Sequence, residues 1–253
     1  MKKPVTPRLK GWNHVCQVAG SSDSVLRAGA LEIGYSWLKH ALDAAGMRRS
    51  RDSTEENVAY RLLAHSDEFK QHGLTVAEIR EAVRVRRFCA ERGRVEEPDK
   101  CLTAAETMRT AWHILSKHFV TMQSAIALGL EIQCRADIAT VCLYGSMARD
   151  SADPNDIDLL VIDEGEYSGD VGFGRYDEGT FSPAAHTIDC LEALGVSSNR
   201  LQSCARCRWL DVRIIDGKRF GHDLEYTSEL QAAQPDPWFF VNIARDLRMI
   251  SDD

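Results

Sequence analysis

The stretch that decides the fold runs Val141-Cys142-Leu143-Tyr144-Gly145-Ser146-Met147-Ala148-Arg149-Asp150, then Ser151-Ala152-Asp153-Pro154-Asn155, then Asp156-Ile157-Asp158-Leu159-Leu160-Val161-Ile162. It reads as strand, tight turn, short polar segment, strand, with the strands over about 139–144 and 156–162. The first apolar run stops at Gly145-Ser146, where a small residue permits a tight turn and a close approach to a ligand. The second opens with Asp156 and Asp158, and on a strand the i, i+2 spacing puts both carboxylates on one face. Two carboxylates side by side in a partly dry site repel each other, and a bound divalent cation removes the conflict. Magnesium, a hard ion that takes oxygen ligands and usually substrate phosphates too, suits such a pair.

A further carboxylate lies in Trp209-Leu210-Asp211-Val212-Arg213-Ile214-Ile215, a strand by composition and alternation. Leu210, Val212 and Ile214 take one face; Asp211, Arg213 and Ile215 take the other. A charge on a central strand needs a metal or an ion pair. Asp211 is therefore either a third metal ligand or half of a structural pair. Asp216 competes, but Gly217 beside it marks a turn, with Lys218-Arg219-Phe220 as a short return strand.

Gly145-Ser146, nine intervening residues and Asp156-Ile157-Asp158 resemble the signature of the nucleotidyltransferase superfamily, the DNA polymerase beta-like group. The surrounding wording looks most like its minimal nucleotidyltransferase branch. The resemblance implies an α+β nucleotidyltransferase fold, a mixed sheet with helices. It implies two magnesium ions on Asp156, Asp158 and Asp211, the last also helping to deprotonate the attacking hydroxyl. Gly145, Ser146 and Arg149 would hold the phosphates of an NTP, ATP first among them, although a surface salt bridge to Asp150 or Asp153 serves Arg149 equally well. The acceptors this implies are a hydroxyl on a protein, on a small molecule or on RNA. A toxin–antitoxin or phage-defence role follows from the resemblance alone. The rival reading is a non-catalytic nucleotide- or protein-binding chain on the same fold.

The 253 residues suffice for two domains. No apolar run is long enough to span a membrane, and no apolar segment follows the basic start of the chain, so a cytoplasmic protein is expected. Eight scattered cysteines fit reduced thiols better than a disulfide framework. The net charge of −7 conceals an asymmetry: residues 1–125 hold 20 Lys and Arg against 15 Asp and Glu, residues 126–253 hold 11 against 23. The first half is thus about +5 and the second about −12, which favours a small cationic or basic protein acceptor over a long nucleic acid.

Along the chain, residues 1–20 read as irregular. Val25, Leu26, Ala30, Ile33, Trp37, Leu38 and Leu42 make an apolar helical face over 24–45, stopped by Gly46. Ser53 with Glu56, Thr75 with Glu78, and Thr103 with Glu106 have capping-box spacing. They predict helices over 54–68, over 76–92, and from Thr103 towards Leu130 with a break near 118. Asp99-Lys100 reads as a linker. Residues 1–117 are therefore expected to be an all-helical domain, and 118–253 the nucleotidyltransferase domain.

The helical half weakly resembles the HEPN domains found beside minimal nucleotidyltransferases. Arg86 or Arg87 matches the HEPN arginine, but no His follows, which argues against ribonuclease activity. The basic stretch 80–94 is either a solvated helix face or a face for RNA or a partner chain. Homo-oligomerisation is left open.

The glycine- and acid-rich stretch 163–178 reads as a loop beside the site, whose Tyr167, Phe173 and Tyr176 either stack on a base or fold back. A helix is predicted over 183–194, with Pro183 at its first position and Gly195 beyond its end. A closing helix is expected over 237–250. His186 and Cys190 at i, i+4, followed by Cys204 and Cys207, have the spacing of a structural zinc tetrad. The alternative is buried, unligated thiols.

Overall fold

A computed structural model describes residues 11–45, 58, 62–90, 96–136, 140–152, 154–163, 183–216 and 248–250. The chain is mixed α+β, mostly helical, and divides into two compact units, Met1–Lys117 and His118–Asp253. Among the described residues no helix is long and apolar enough to cross a membrane.

The first unit contains α1 (Trp12–Ala19), α2 (Ser24–Ala44), α3 (Ser66–Gln71), α4 (Val76–Ala90) and α5 (Pro98–Ser116), with helical residues at Val58 and 62–64. Helix α1 was not expected. Its Trp12, Val15, Cys16 and Ala19 are buried at helical spacing, a short signal masked by the prolines upstream. Asp23 caps α2 by accepting from the Val25 and Leu26 amides at 2.8 and 3.1 Å. Trp12 packs edge-on against Trp37 and tilts onto Trp112, with ring centroids 5.3 and 6.0 Å away. Gly34 leaves room for it, since a Cβ there would press on the Trp12 ring.

The capping box at Thr75 forms as read: the Thr75 amide donates to Glu78 at 2.7 Å, and the Glu78 amide donates to Thr75 Oγ1 at 3.2 Å. The one at Thr103 does not, because the helix already starts at Pro98 and Thr103 Oγ1 donates back to the Asp99 carbonyl at 2.9 Å. Asp99-Lys100 is thus the first turn of α5 and not a linker. The pair Ser53/Glu56 and the stop at Gly46 lie outside the described residues.

Two of the described arginines of 80–94 have different surroundings. Arg84 pairs with Glu81, while Arg86 is buried, bonds Glu32 through two nitrogens at 2.6 and 2.7 Å and covers the Tyr35 ring at 4.4 Å. Arg86 is thus engaged in holding α4 to α2.

The second unit begins with α6 (Met122–Ala136), separated from α5 by a break at 117–121. The rest is β1 (Thr140–Tyr144), α7 (Gly145–Ala148), β2 (Ile157–Asp163), α8 (Pro183–Ala193), α9 (Asn199–Arg206), β3 (Leu210–Asp216) and β4 (Arg248–Met249). The sheet order is β3-β2-β1-β4, with β2–β3 parallel and the other pairs antiparallel. Residues 248–249 are therefore a strand where a helix was expected. Their amide edge completes β1, and Ile250 drops its side chain onto Gly129 of α6. Helix α9 was also missed: its short Asn199–Arg206 pattern is mostly polar, and Ser198 caps it through the Leu201 amide at 3.3 Å. Below β3, fully buried Trp209 stacks on Phe119 with centroids 6.1 Å apart. The loop 164–178 with its aromatics, the 218–220 return strand and most of the closing segment 237–247 lie outside the described residues.

Candidate active site

The site is built where β1, β2 and β3 begin or end side by side. Strand β1 ends at Tyr144, and the chain turns at once into the single helical turn of α7. Gly145 makes that turn with φ 73°, a left-handed conformation that a side chain resists. A methyl at Gly145 would also land on the Asp158 carboxylate. Glycine is thus required twice, for the turn and for the approach. The next side chain, Ser146, has its hydroxyl oxygen buried and bonded to nothing among the described residues. A buried hydroxyl without a partner forfeits the hydrogen bonds it had in water, unless a ligand supplies them. Arg149 is exposed just beyond α7, and its charge favours the ionised form of Asp158.

Strand β2 carries Asp158 between Tyr144 of β1 and Asp211 of β3 in direct register. Asp156 sits immediately before β2, and the neighbouring Ile157 and Leu159 are completely buried. Asp156 and Asp158 therefore open the strand on the side away from Ile157 and Leu159.

Burial, then the charge of Asp211, raises the Asp156 carboxyl to about 6, against an opposing pull from Arg208. Asp158 is pushed well above the ordinary carboxylate range by burial, then by Asp156 and Asp211. The Tyr144 phenol is raised for the same reasons, burial first. Two acids of raised proton affinity, one of them in register with a third carboxylate, form a site short of positive charge. A divalent cation is the kind of group that would let both ionise.

The structure settles what Asp211 touches in this conformation. Arg213 donates to its Oδ2 through two nitrogens at 3.1 and 3.0 Å, Thr187 Oγ1 donates to Oδ1 at 3.1 Å, and the Tyr144 hydroxyl reaches Oδ2 at 3.4 Å. Thr187 Oγ1 in turn accepts from the Val212 amide at 3.2 Å, which fixes α8 against β3. Asp211 thus forms an ion pair with Arg213. Among the described residues no three His, Cys, Asp or Glu side chains converge on one point. Asp158 and Asp211 face each other across the β2–β3 ladder, and Asp156 lies just before β2.

The zinc tetrad does not assemble for a related reason. His186 and Cys190 do share a face of α8, with Nε2 and Sγ 3.7 Å apart. Cys207, however, donates its thiol to the Cys204 carbonyl at 3.3 Å, and these two are not gathered with the first pair. All four are buried. Burial lowers His186 to about 4, keeping it neutral, and raises the Cys204 thiol to about 12. They stand as core residues in this structure.

No family model, curated protein or solved structure matches the chain. The functional reading accordingly stands on the site residues themselves.

Three residues of the site were not singled out from the sequence: Tyr144, Thr187 and Arg208. Tyr144 was hidden by its place in an apolar strand, and Thr187 carries no motif. Arg208 follows α9, and without that helix its position had no meaning.

Proposed function

We propose that the second unit is a magnesium-dependent nucleotidyltransferase, moving an NMP from an NTP, ATP first, to a hydroxyl of a protein or small molecule. The observation that carries this is the orphaned Ser146 hydroxyl at the Gly145 turn, seated against Asp158 in register with Asp211. A turn that packs on a carboxylate and carries an unpartnered hydroxyl suits phosphate and metal together.

Asp156 and Asp158 would hold the magnesium, with Asp211 completing the set. When bound, the metal supplies charge neutralisation for the phosphates and activation of the attacking oxygen. Ser146 donates its hydroxyl to a terminal phosphate oxygen, replacing the bond that folding left unmade. Gly145 makes the tight left-handed turn that brings Ser146 directly after β1. Thr187 and Tyr144 orient Asp211 from two sides, so that its carboxylate is held for the acceptor hydroxyl. The acidic balance of the second half, about −12, favours a cationic acceptor.

A second reading, a nucleotide-binding chain without turnover, draws on the Arg213–Asp211 pair, which occupies the third carboxylate. Both readings are tested by label transfer from each of the four α-labelled NTPs into a cell lysate, with magnesium or manganese. Transfer by the wild type and none by Asp156→Ala/Asp158→Ala supports catalysis and reports the acceptor fraction. Metal-dependent NTP binding without transfer supports the second reading. Neither binding nor transfer overturns both.

A further inference from the structure

Two thiols of the first unit face each other across neighbouring helices. Cys89 lies in the last turn of α4 and Cys101 near the start of α5, with their sulfurs 3.8 Å apart. Both are buried, Cys101 completely and Cys89 with 9% of its surface exposed. They are 12 positions apart in sequence, so the chain that joins them is short. A disulfide holds its sulfurs about 2.0 Å apart, so the pair must close by about 1.8 Å, within reach of a side-chain rotation and a small helix shift.

The surroundings of Cys101 favour a thiolate more than an apolar core does. Its thiol points at the Glu96 carbonyl at 4.0 Å, and Arg27 Nη2 donates to the same oxygen at 3.1 Å. Arg27 is itself buried and also bonds the Ser21 carbonyl at 2.6 Å, which fixes the cation beside the acceptor of the thiol. The N-terminal end of α5 adds a positive dipole. Burial, then Cys89, raises the Cys101 thiol to about 11 against the pull of Arg27, so the resting pair is reduced and its oxidation is slow.

We propose that Cys89 and Cys101 are a redox modification site, where hydrogen peroxide converts two facing thiols into a disulfide that fastens α4 to α5. Cys89, the more exposed sulfur, attacks the peroxide: an S–O bond forms, the O–O bond breaks, and hydroxide leaves with the thiol proton as water. The Cys101 thiolate then attacks the sulfenic sulfur: the S–S bond forms, the S–O bond breaks, and a second water carries off the Cys101 proton. Two electrons pass from the sulfurs to the peroxide. The cross-link removes freedom from the unfolded chain, so oxidation stabilises the helical unit.

The test incubates the full chain with hydrogen peroxide, alkylates the remaining thiols in denaturant and maps the unreduced digest by mass. A Cys89–Cys101 cross-linked peptide is expected, reversed by dithiothreitol, with a melting temperature of the helical signal raised by about 5–15 °C. In Cys101→Ala no resolving thiol remains, and dimedone should trap a sulfenic acid on Cys89. The wild-type digest reads the pair directly, whatever the stability of the alanine variant. Peroxide-treated chain with both thiols still alkylated would overturn the inference. So would cross-links from either sulfur to another cysteine, or a Cys89–Cys101 cross-linked chain that melts no higher than the reduced one.

Discussion

At the scale of the residue, the site is governed by Gly145 and the two aspartates it faces. Gly145→Ala meets both a left-handed backbone and the Asp158 carboxylate, and is expected to cost about 1–3 kcal/mol of stability in denaturant titration. Label transfer should fall with it, because Asp158 must move.

The carboxylates have the opposite effect. Their folded-state proton affinity is raised above the ordinary value near 4, so the stability they lend is present below about pH 4 and is lost as pH rises, for Asp156 through about 6. Asp156→Asn and Asp158→Asn should therefore melt above the wild type at pH 7.5 without divalent ions, and level with it near pH 4. Variants that melt below the wild type at pH 7.5 would show that the ionised pair is already compensated by protein groups.

At the scale of the element, the legible parts were those with a strong local rule. Helix α8 keeps Pro183 at its start and Gly195 past its end, and β2 follows its carboxylates as read. Thr75 and Glu78 cap α4 because both side chains can reach across one turn. Thr75→Ala should lower the melting temperature by about 2–4 °C, the effect of one lost cap. Thr103 and Glu106 have the same spacing and cap nothing, because Pro98 starts the helix earlier. The rule needs an N-terminus, and spacing alone does not provide one.

Elements that depend on distant partners were not legible. Strand β4 is two residues long and exists because β1 has a free edge for it. Helix α9 is short, and its buried Leu201, Cys204 and Ala205 are too few to stand out. Trp209, directly after it, locks the start of β3 onto Phe119. Trp209→Ala is expected to destabilise the chain by about 3–5 kcal/mol and to loosen Asp211 with it.

At the scale of the whole molecule, charge is distributed by unit. The helical first unit is basic by about 5 charges and the second acidic by about 12. On α4, Arg84 and Arg86 are paired with Glu81 and Glu32. The acidic excess includes the three carboxylates of the site. Sequence spacing places Asp156 and Asp158 together and points to Asp211. It does not show that Arg213, Thr187 and Tyr144 hold Asp211, since those contacts join α8, β1 and β3 through the fold.

The account turns on one claim: two half-buried aspartates of raised proton affinity give up protons to a divalent cation. Calorimetric titration of manganese into the full chain at pH 6, in two buffers of different ionisation enthalpy, measures binding and proton release together. Binding with release of protons, both abolished in Asp156→Asn/Asp158→Asn, is the expected result. No binding, or binding that persists unchanged in the double variant, would contradict it.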